Sequence, residues 1–208
     1  AFAADIAPLM DAAPEAAVET VAASSPWQIR VRGLGVVTHD SGFVDGAAGS
    51  GLSYSDSVIP ELDISYYLTD NIAAELILGT TSANIYGEGS LASLGKVGKT
   101  WVLPPTLTLQ YHFTDFGAFK PYVGAGVNYT TFFSEDTTGA LAGSKLKLQD
   151  SWGLAAHAGI DFAIGEKGAL RVDMRWIDID SKVKLNGEKI GTVNIDPLVY
   201  GASYVFKF

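Results

Sequence analysis

Between residues 170 and 176, bulky apolar and ionised side chains alternate at every position: Leu170, Val172, Met174 and Trp176 have one parity, Arg171, Asp173 and Arg175 the other. A period of two belongs to an extended strand, whose successive side chains point to opposite faces. The apolar face needs an oily neighbour, and the ionised face needs water or countercharges. A wall with hydrocarbon on one side and a polar interior on the other satisfies both. The pattern recurs at the C-terminus, where Leu198, Tyr200, Ala202, Tyr204, Phe206 and Phe208 oppose Ser203 and Lys207. In residues 149–165, Trp152, Leu154, Ala156, Ala158, Ile160 and Phe162 oppose His157 and Asp161.

Segments of this kind fall at 27–38, 56–68, 72–83, 99–113, 120–133, 149–165, 169–180 and 192–208. Their connections are alternately short (69–71, 114–119, 165–168) and long (39–55, 84–98, 134–148, 181–191). That rhythm predicts an all-β fold, an eight-stranded antiparallel transmembrane β-barrel with short periplasmic turns and long extracellular loops. No stretch reaches the roughly 18 to 20 consecutive apolar residues of a spanning helix, which excludes a helical membrane protein. Residues 26–208 are expected to form the barrel, in the outer membrane of a Gram-negative bacterium. Residues 1–25 are rich in Ala, Pro and acids, and are expected to be a disordered periplasmic extension. Ala1-Phe2-Ala3-Ala4 reads as the remnant of a signal-peptidase site on a mature exported protein.

A net charge of −9 argues against nucleic acid, which needs a concentrated basic face. The absence of Cys excludes thiol catalysis and thiolate metal sites. His39, His112 and His157 come with no motif presenting a nucleophile, and Asp161 stands ~13 Å along the strand from His157. No enzyme, cofactor or metal is expected.

Collecting the inward parity gives Arg30, Arg32, Arg171, Arg175 and Lys207 against Glu61, Asp63, Glu75, Asp161 and Asp173, with Gln110 and His112 between. Side chains fill so narrow a barrel, so these charges are expected to pair and plug the periplasmic half of the bore. Nearer the outer end the inward positions become apolar: Val36, Ile59, Val102, Phe132, Ile177, Ile179 and Ile195. They form either a dry funnel for apolar molecules or a packing that only fills itself. Pro60, Pro104, Pro105 and Pro197 lie within strands, where each removes a ladder N–H. They suggest either a lateral opening into the membrane or local kinks that shape the wall.

Trp101, Trp152 and Trp176 are expected at the outer interface, and Trp27, Tyr66, Phe113 and Phe208 at the inner one. Tyr204, Phe206 and Phe208 look like the assembly signal read by the outer-membrane insertion machinery. Lys96, Lys99, Lys145, Lys147, Lys182, Lys184 and Lys189 sit in or beside the long connections. They are either contacts for lipopolysaccharide phosphates or solvated charge.

Several segments carry a family resemblance: TDNI from Thr69, LPPTLTLQYHF from Leu103, KPYVGAGVNYTTFF from Lys120, LQDSWG from Leu148, DID from Asp178, and DPLVYGASYVFKF from Asp196. Over residues 27–208 the chain resembles the OmpW family of small outer-membrane proteins, which includes an alkane-uptake protein. The resemblance implies a barrel with a narrow hydrophobic channel, passing small hydrophobic compounds and possessing a lateral route through the wall. It also implies the alternative of a stress-related protein or a receptor for colicins or phages. The acidic extension before Trp27 departs from the family pattern. Residues and resemblance together predict passive uptake of hydrophobic solutes, with a structural or receptor protein as the alternative.

Overall fold

The computed structural model describes residues 25–37, 41–45, 47–55, 57–164 and 168–207. The expected extension up to residue 24, His39, most of the 165–168 turn and Phe208 lie outside the described residues. So do the side chains of Val36, Ile59, Phe206 and Lys207.

The strands are β1 (Trp27–Val37), β2 (Ser41–Val44), β3 (Ser50–Tyr54), β4 (Ser57–Tyr67), β5 (Ile72–Gly79), β6 (Thr81–Gly89), β7 (Lys96–Leu103) and β8 (Thr106–His112). After these come β9 (Phe119–Thr137), β10 (Leu146–Leu148), β11 (Ser151–Ile164), β12 (Gly168–Ile177), β13 (Asp180–Leu185), β14 (Glu188–Asn194) and β15 (Leu198–Lys207). The wall runs β1-β4-β5-β8-β9-β11-β12-β15, and β15 pairs with β1, so the antiparallel ladder meets itself. A closed ladder leaves no edge in the hydrocarbon, which is the condition for crossing a bilayer with strands.

Two expectations are corrected. The four long connections are not simple loops, because β2, β3, β10 and much of β6, β7, β13 and β14 lie within them. Above the ring they continue the wall as two sheets, β3-β6-β7-β9 and β10-β13-β14-β2. Alternation persists there: Leu146, Leu148, Val183 and Val193 turn inward and are buried. The expected strands 72–83, 99–113, 169–180 and 192–208 are also interrupted, at Thr80, Pro104–Pro105, Asp178–Ile179 and residues 195–197. At Pro104–Pro105 the missing N–H groups end β7, while β9 passes by unbroken. The carbonyls of both prolines accept from Asn128 Nδ2 at 3.2 Å.

Leu107, Leu109, Val123, Val127, Leu154 and Val172 all point outward and are about half exposed or more, from 47% to 63%. So broad a band of bare aliphatic surface matches hydrocarbon, not water. Aromatic pairs edge it: Trp101–Phe133 and Tyr129–Trp152 at one end, Trp27–Tyr66, Tyr111–Phe113 and Phe119–Phe162 at the other. Among the described residues, no helix is long and apolar enough to cross a membrane.

Candidate functional site

The inward parity of the wall strands carries a continuous buried ionic network. Arg30 pairs with Asp63 at 3.2 Å and with Glu75. Arg32 reaches Glu61 at 2.6 Å, Asp63 at 3.1 Å and Asp173 at 2.5 Å. Arg175 holds the other oxygen of Glu61 at 2.5 Å, and Arg171 joins Asp161 at 2.5 Å to Glu75 at 3.5 Å. Each acid is therefore held by at least one arginine from another strand, and no member of the network stands exposed. Charges so desolvated are tolerable only with this degree of mutual pairing.

Neutral polar groups fill what remains. Tyr122 Oη donates to Asp173 at 3.1 Å, lies 3.0 Å from His157 Nε2, and its ring carries the Arg171 guanidinium at 4.3 Å. Gln110 Nε2 donates to Glu75 at 2.8 Å, and Ser65 donates to the same carboxylate at 2.7 Å. The absence of a side chain at Gly159 lets Tyr122 occupy this place, since a Cβ there would meet the tyrosine ring at 2.7 Å and Asp173 Cβ at 2.6 Å. Gly159→Val is expected to displace Tyr122 and lower the urea midpoint of the refolded barrel, whereas Ala158→Val, on the outward parity, leaves it unchanged.

Above this floor the interior changes character. Phe132, Ile177, Ile179 and Ile195 join Leu34, Ile85, Val97, Leu146, Leu148, Val183, Val193 and Val199 in one buried apolar cluster. Val102 packs against it and is only partly buried. On β12 the boundary is sharp, Arg175 belonging to the ionic floor and Ile177, the next inward position, to the apolar cluster, whereas on β9 the buried Asn128 and Thr130 lie between the floor and Phe132. At the outer end a cavity of about 220 Å³ opens among Leu52, Leu94, Val97, Leu141, Leu146 and Ile190.

The wall has an interruption beside the floor. Pairing of β4 with β5 stops at Glu61↔Gly79, one residue short of Pro60, while β4 stays paired with β1 through Gly33↔Pro60 and beyond. A depression of about 290 Å³ lies there, lined by Val31, Pro60, Glu61, Leu78, Thr80 and Leu103 among others. Leu103 adjoins Pro104, so two of the in-strand proline sites flank the same place. Pro197 sits apart, between β14 and β15, where its carbonyl accepts from Ile177 N–H at 3.2 Å.

His157 meets Asp173 at 3.3 Å, and Asp161 is taken by Arg171, so His157 and Asp161 do not form a pair. Asp178, Asp180 and Asp196 bring three carboxylates within 4.8 Å of one another at the outer end, a grouping that their sequence spacing does not reveal. Desolvation and the two neighbouring carboxylates raise the Asp180 pKa above the ordinary value. Tyr204 of the C-terminal aromatic series faces outward. Tyr122 is the principal inward residue that the sequence reading leaves out. It has the parity of Phe132 on the same strand, which is the signal that identifies it.

The OmpW family model matches residues 35–208. The chain is 51% identical over 197 residues to an uncharacterized outer-membrane protein, y4mB, of Sinorhizobium fredii, covering 92% of this chain and 84% of that one. It is 37% identical over 150 residues to the outer membrane protein AlkL of Ectopseudomonas oleovorans, covering 69% and 64%. The crystal structure of the outer membrane protein OprG from Pseudomonas aeruginosa superposes with a TM-score of 0.78 at 33% identity, over 89% of this chain and 97% of that one. With the closed antiparallel wall and its hydrocarbon-facing band, these likenesses establish that the chain belongs to the OmpW family and is an outer-membrane β-barrel protein.

Proposed function

We propose that this protein is a passive channel through which small hydrophobic molecules enter from outside the cell. A solute is taken in between the extracellular sheets, occupies the apolar upper lumen, is stopped by the charged floor and leaves sideways through the wall near Pro60. The observation that carries the reading is the change on consecutive inward positions of β12 from the ionic layer at Arg175 to the apolar cluster at Ile177. Apolar surface moved out of water gains about 25 cal/mol per Å², so the upper lumen favours hydrocarbon. The paired charges below offer it nothing and resist continued descent. The exit draws support from the wall depression, whose lining is mostly aliphatic and faces the membrane.

The reading is non-enzymic, since His157 is engaged by Asp173, Tyr122 and Gln110 in the floor. Its partners are the solute, the lipid and lipopolysaccharide around the barrel, and the insertion machinery that reads the C-terminal aromatics. A receptor or structural role is the alternative, and the sheets that rise beyond the ring favour it by presenting an extended outer surface. Proteoliposomes separate the two. Wild-type protein is expected to accelerate entry of an alkane over protein-free vesicles while leaving a sugar of similar size unaffected; equal rates for alkane with and without protein would reject the channel. Thr80→Trp, which fills the wall depression, is expected to slow alkane entry several-fold, and an unchanged rate would remove the lateral exit from the scheme.

A further inference from the structure

Strands β10, β13 and β14 turn Leu146, Leu148, Val183 and Val193 inward and present lysines on the opposite face. Lys147 is on β10, Lys182 and Lys184 on β13, Lys189 on β14, and Lys145 precedes β10 with the parity of Lys147. The register places Lys147 directly opposite Lys184 and, past a bulge between Val183 and Lys184, Lys184 opposite Lys189. A row of ammonium-bearing side chains therefore crosses neighbouring strands at ~4.8 Å spacing. Like charges set opposite one another destabilise a sheet. Among the described residues every ion pair within 4.0 Å lies in the lumen network, so none of these lysines forms a salt bridge, although Lys147 acts electrostatically on the Asp150 carboxylate. This face thus gathers five of the fourteen basic residues in a chain of net charge −9.

Its position says what meets it. A surface depression of about 710 Å³ contains Lys147 and Lys182 together with Trp152, which is 74% exposed and lies tilted against Tyr129 in the outer aromatic girdle. Aromatic girdles mark the headgroup level of the bilayer. The lysine row consequently begins at the headgroups and rises above them. Two acids share the depression: Asp150, whose carboxylate accepts from Tyr129 at 2.7 Å and Thr131 at 2.9 Å, and Asp180, at the bilayer end of the lysine face.

We infer that this face binds the phosphate groups of the phosphorylated glycolipid in the outer leaflet. Phosphates bridging Lys147, Lys184 and Lys189 relieve the repulsion along the row, while the attached acyl chains lie against Trp152 and Leu154 below. The inference depends on the outer-membrane placement and is independent of the channel reading.

The test uses the whole chain in phosphatidylcholine nanodiscs titrated with lipopolysaccharide, either intact or stripped of its lipid A phosphates. Wild-type protein is expected to bind the intact form at least about tenfold more tightly than the stripped one, a difference of about 1.4 kcal/mol. The triple variant Lys147→Gln, Lys184→Gln, Lys189→Gln is expected to lose that preference while keeping the strand signature in circular dichroism and the wild-type rate of alkane entry. Lys96→Gln with Lys99→Gln, on the other extracellular sheet, is expected to retain it. Equal binding of the two glycolipids, an unaffected triple variant, or equal displacement by inorganic phosphate or by phosphatidylglycerol would each overturn the site, the last two by reducing it to unspecific attraction or capture of any phosphate.

Discussion

Replacing Ile177 by aspartate is expected to cut the entry of an alkane into proteoliposomes about tenfold, the equivalent of about 1.4 kcal/mol against its passage. Ile177 is 3% exposed, lies opposite Ala155, and stands immediately above Arg175 on the inward face of β12. A carboxylate there must either find a hydrogen-bonding partner among aliphatic neighbours or bring water with it. Both outcomes hydrate the lumen at the level where the solute should be dry. Phe132→Asp, two strands along the wall in the same cluster, should act in the same direction. The outward faces and the ladder that drive insertion are untouched by either change, so a barrel of normal strand content is expected in both cases. Unaltered alkane entry in folded Ile177→Asp protein would remove the apolar lumen from the path.

The second large effect concerns stability. Arg171→Met takes away the cation that joins Asp161 to Glu75 and lies over the Tyr122 ring. Removing one partner of a buried pair leaves an uncompensated charge, which costs about 3–5 kcal/mol. The urea midpoint of the refolded barrel should fall accordingly, and ion leakage through reconstituted membranes should rise as the floor loosens. Adding Asp161→Leu to Arg171→Met is expected to restore much of the stability, because the orphaned carboxylate disappears with its partner. A midpoint that does not move in the single variant would mean that the floor is not a coupled ionic layer.

The wall was legible because each of its positions answers to a period of two. Arg171, Asp173 and Arg175 share one face, and their acidic and basic partners on β1, β4 and β5 follow from the same parity. Applied strictly to β9, that rule would also have identified Tyr122 from Phe132. The extracellular strands were hidden for a different reason: short runs between glycines and lysines read as loop composition, although Asn186-Gly187 is a strong hairpin signal. Both residues have positive φ, 52° and 92°, as a two-residue turn between β13 and β14 requires. The gap at Pro60 was half visible. Sequence marks the missing N–H, but only the pairing register shows that β4 and β5 part company there and that Leu103 lines the same depression. The lysine row and the Asp178, Asp180 and Asp196 grouping depend on the register between strands, so composition alone conceals them.

The decisive measurement is where an apolar molecule resides. With the chain methyl-labelled in lipid nanodiscs, a spin-labelled hydrocarbon is expected to broaden the resonances of Ile177, Ile179, Val183 and Val193, whose side chains are buried in the upper lumen. Broadening confined to outward methyls such as those of Leu107, Leu154 and Val172, with the interior set unaffected, would show the hydrocarbon dissolved in the bilayer alone and would contradict the account.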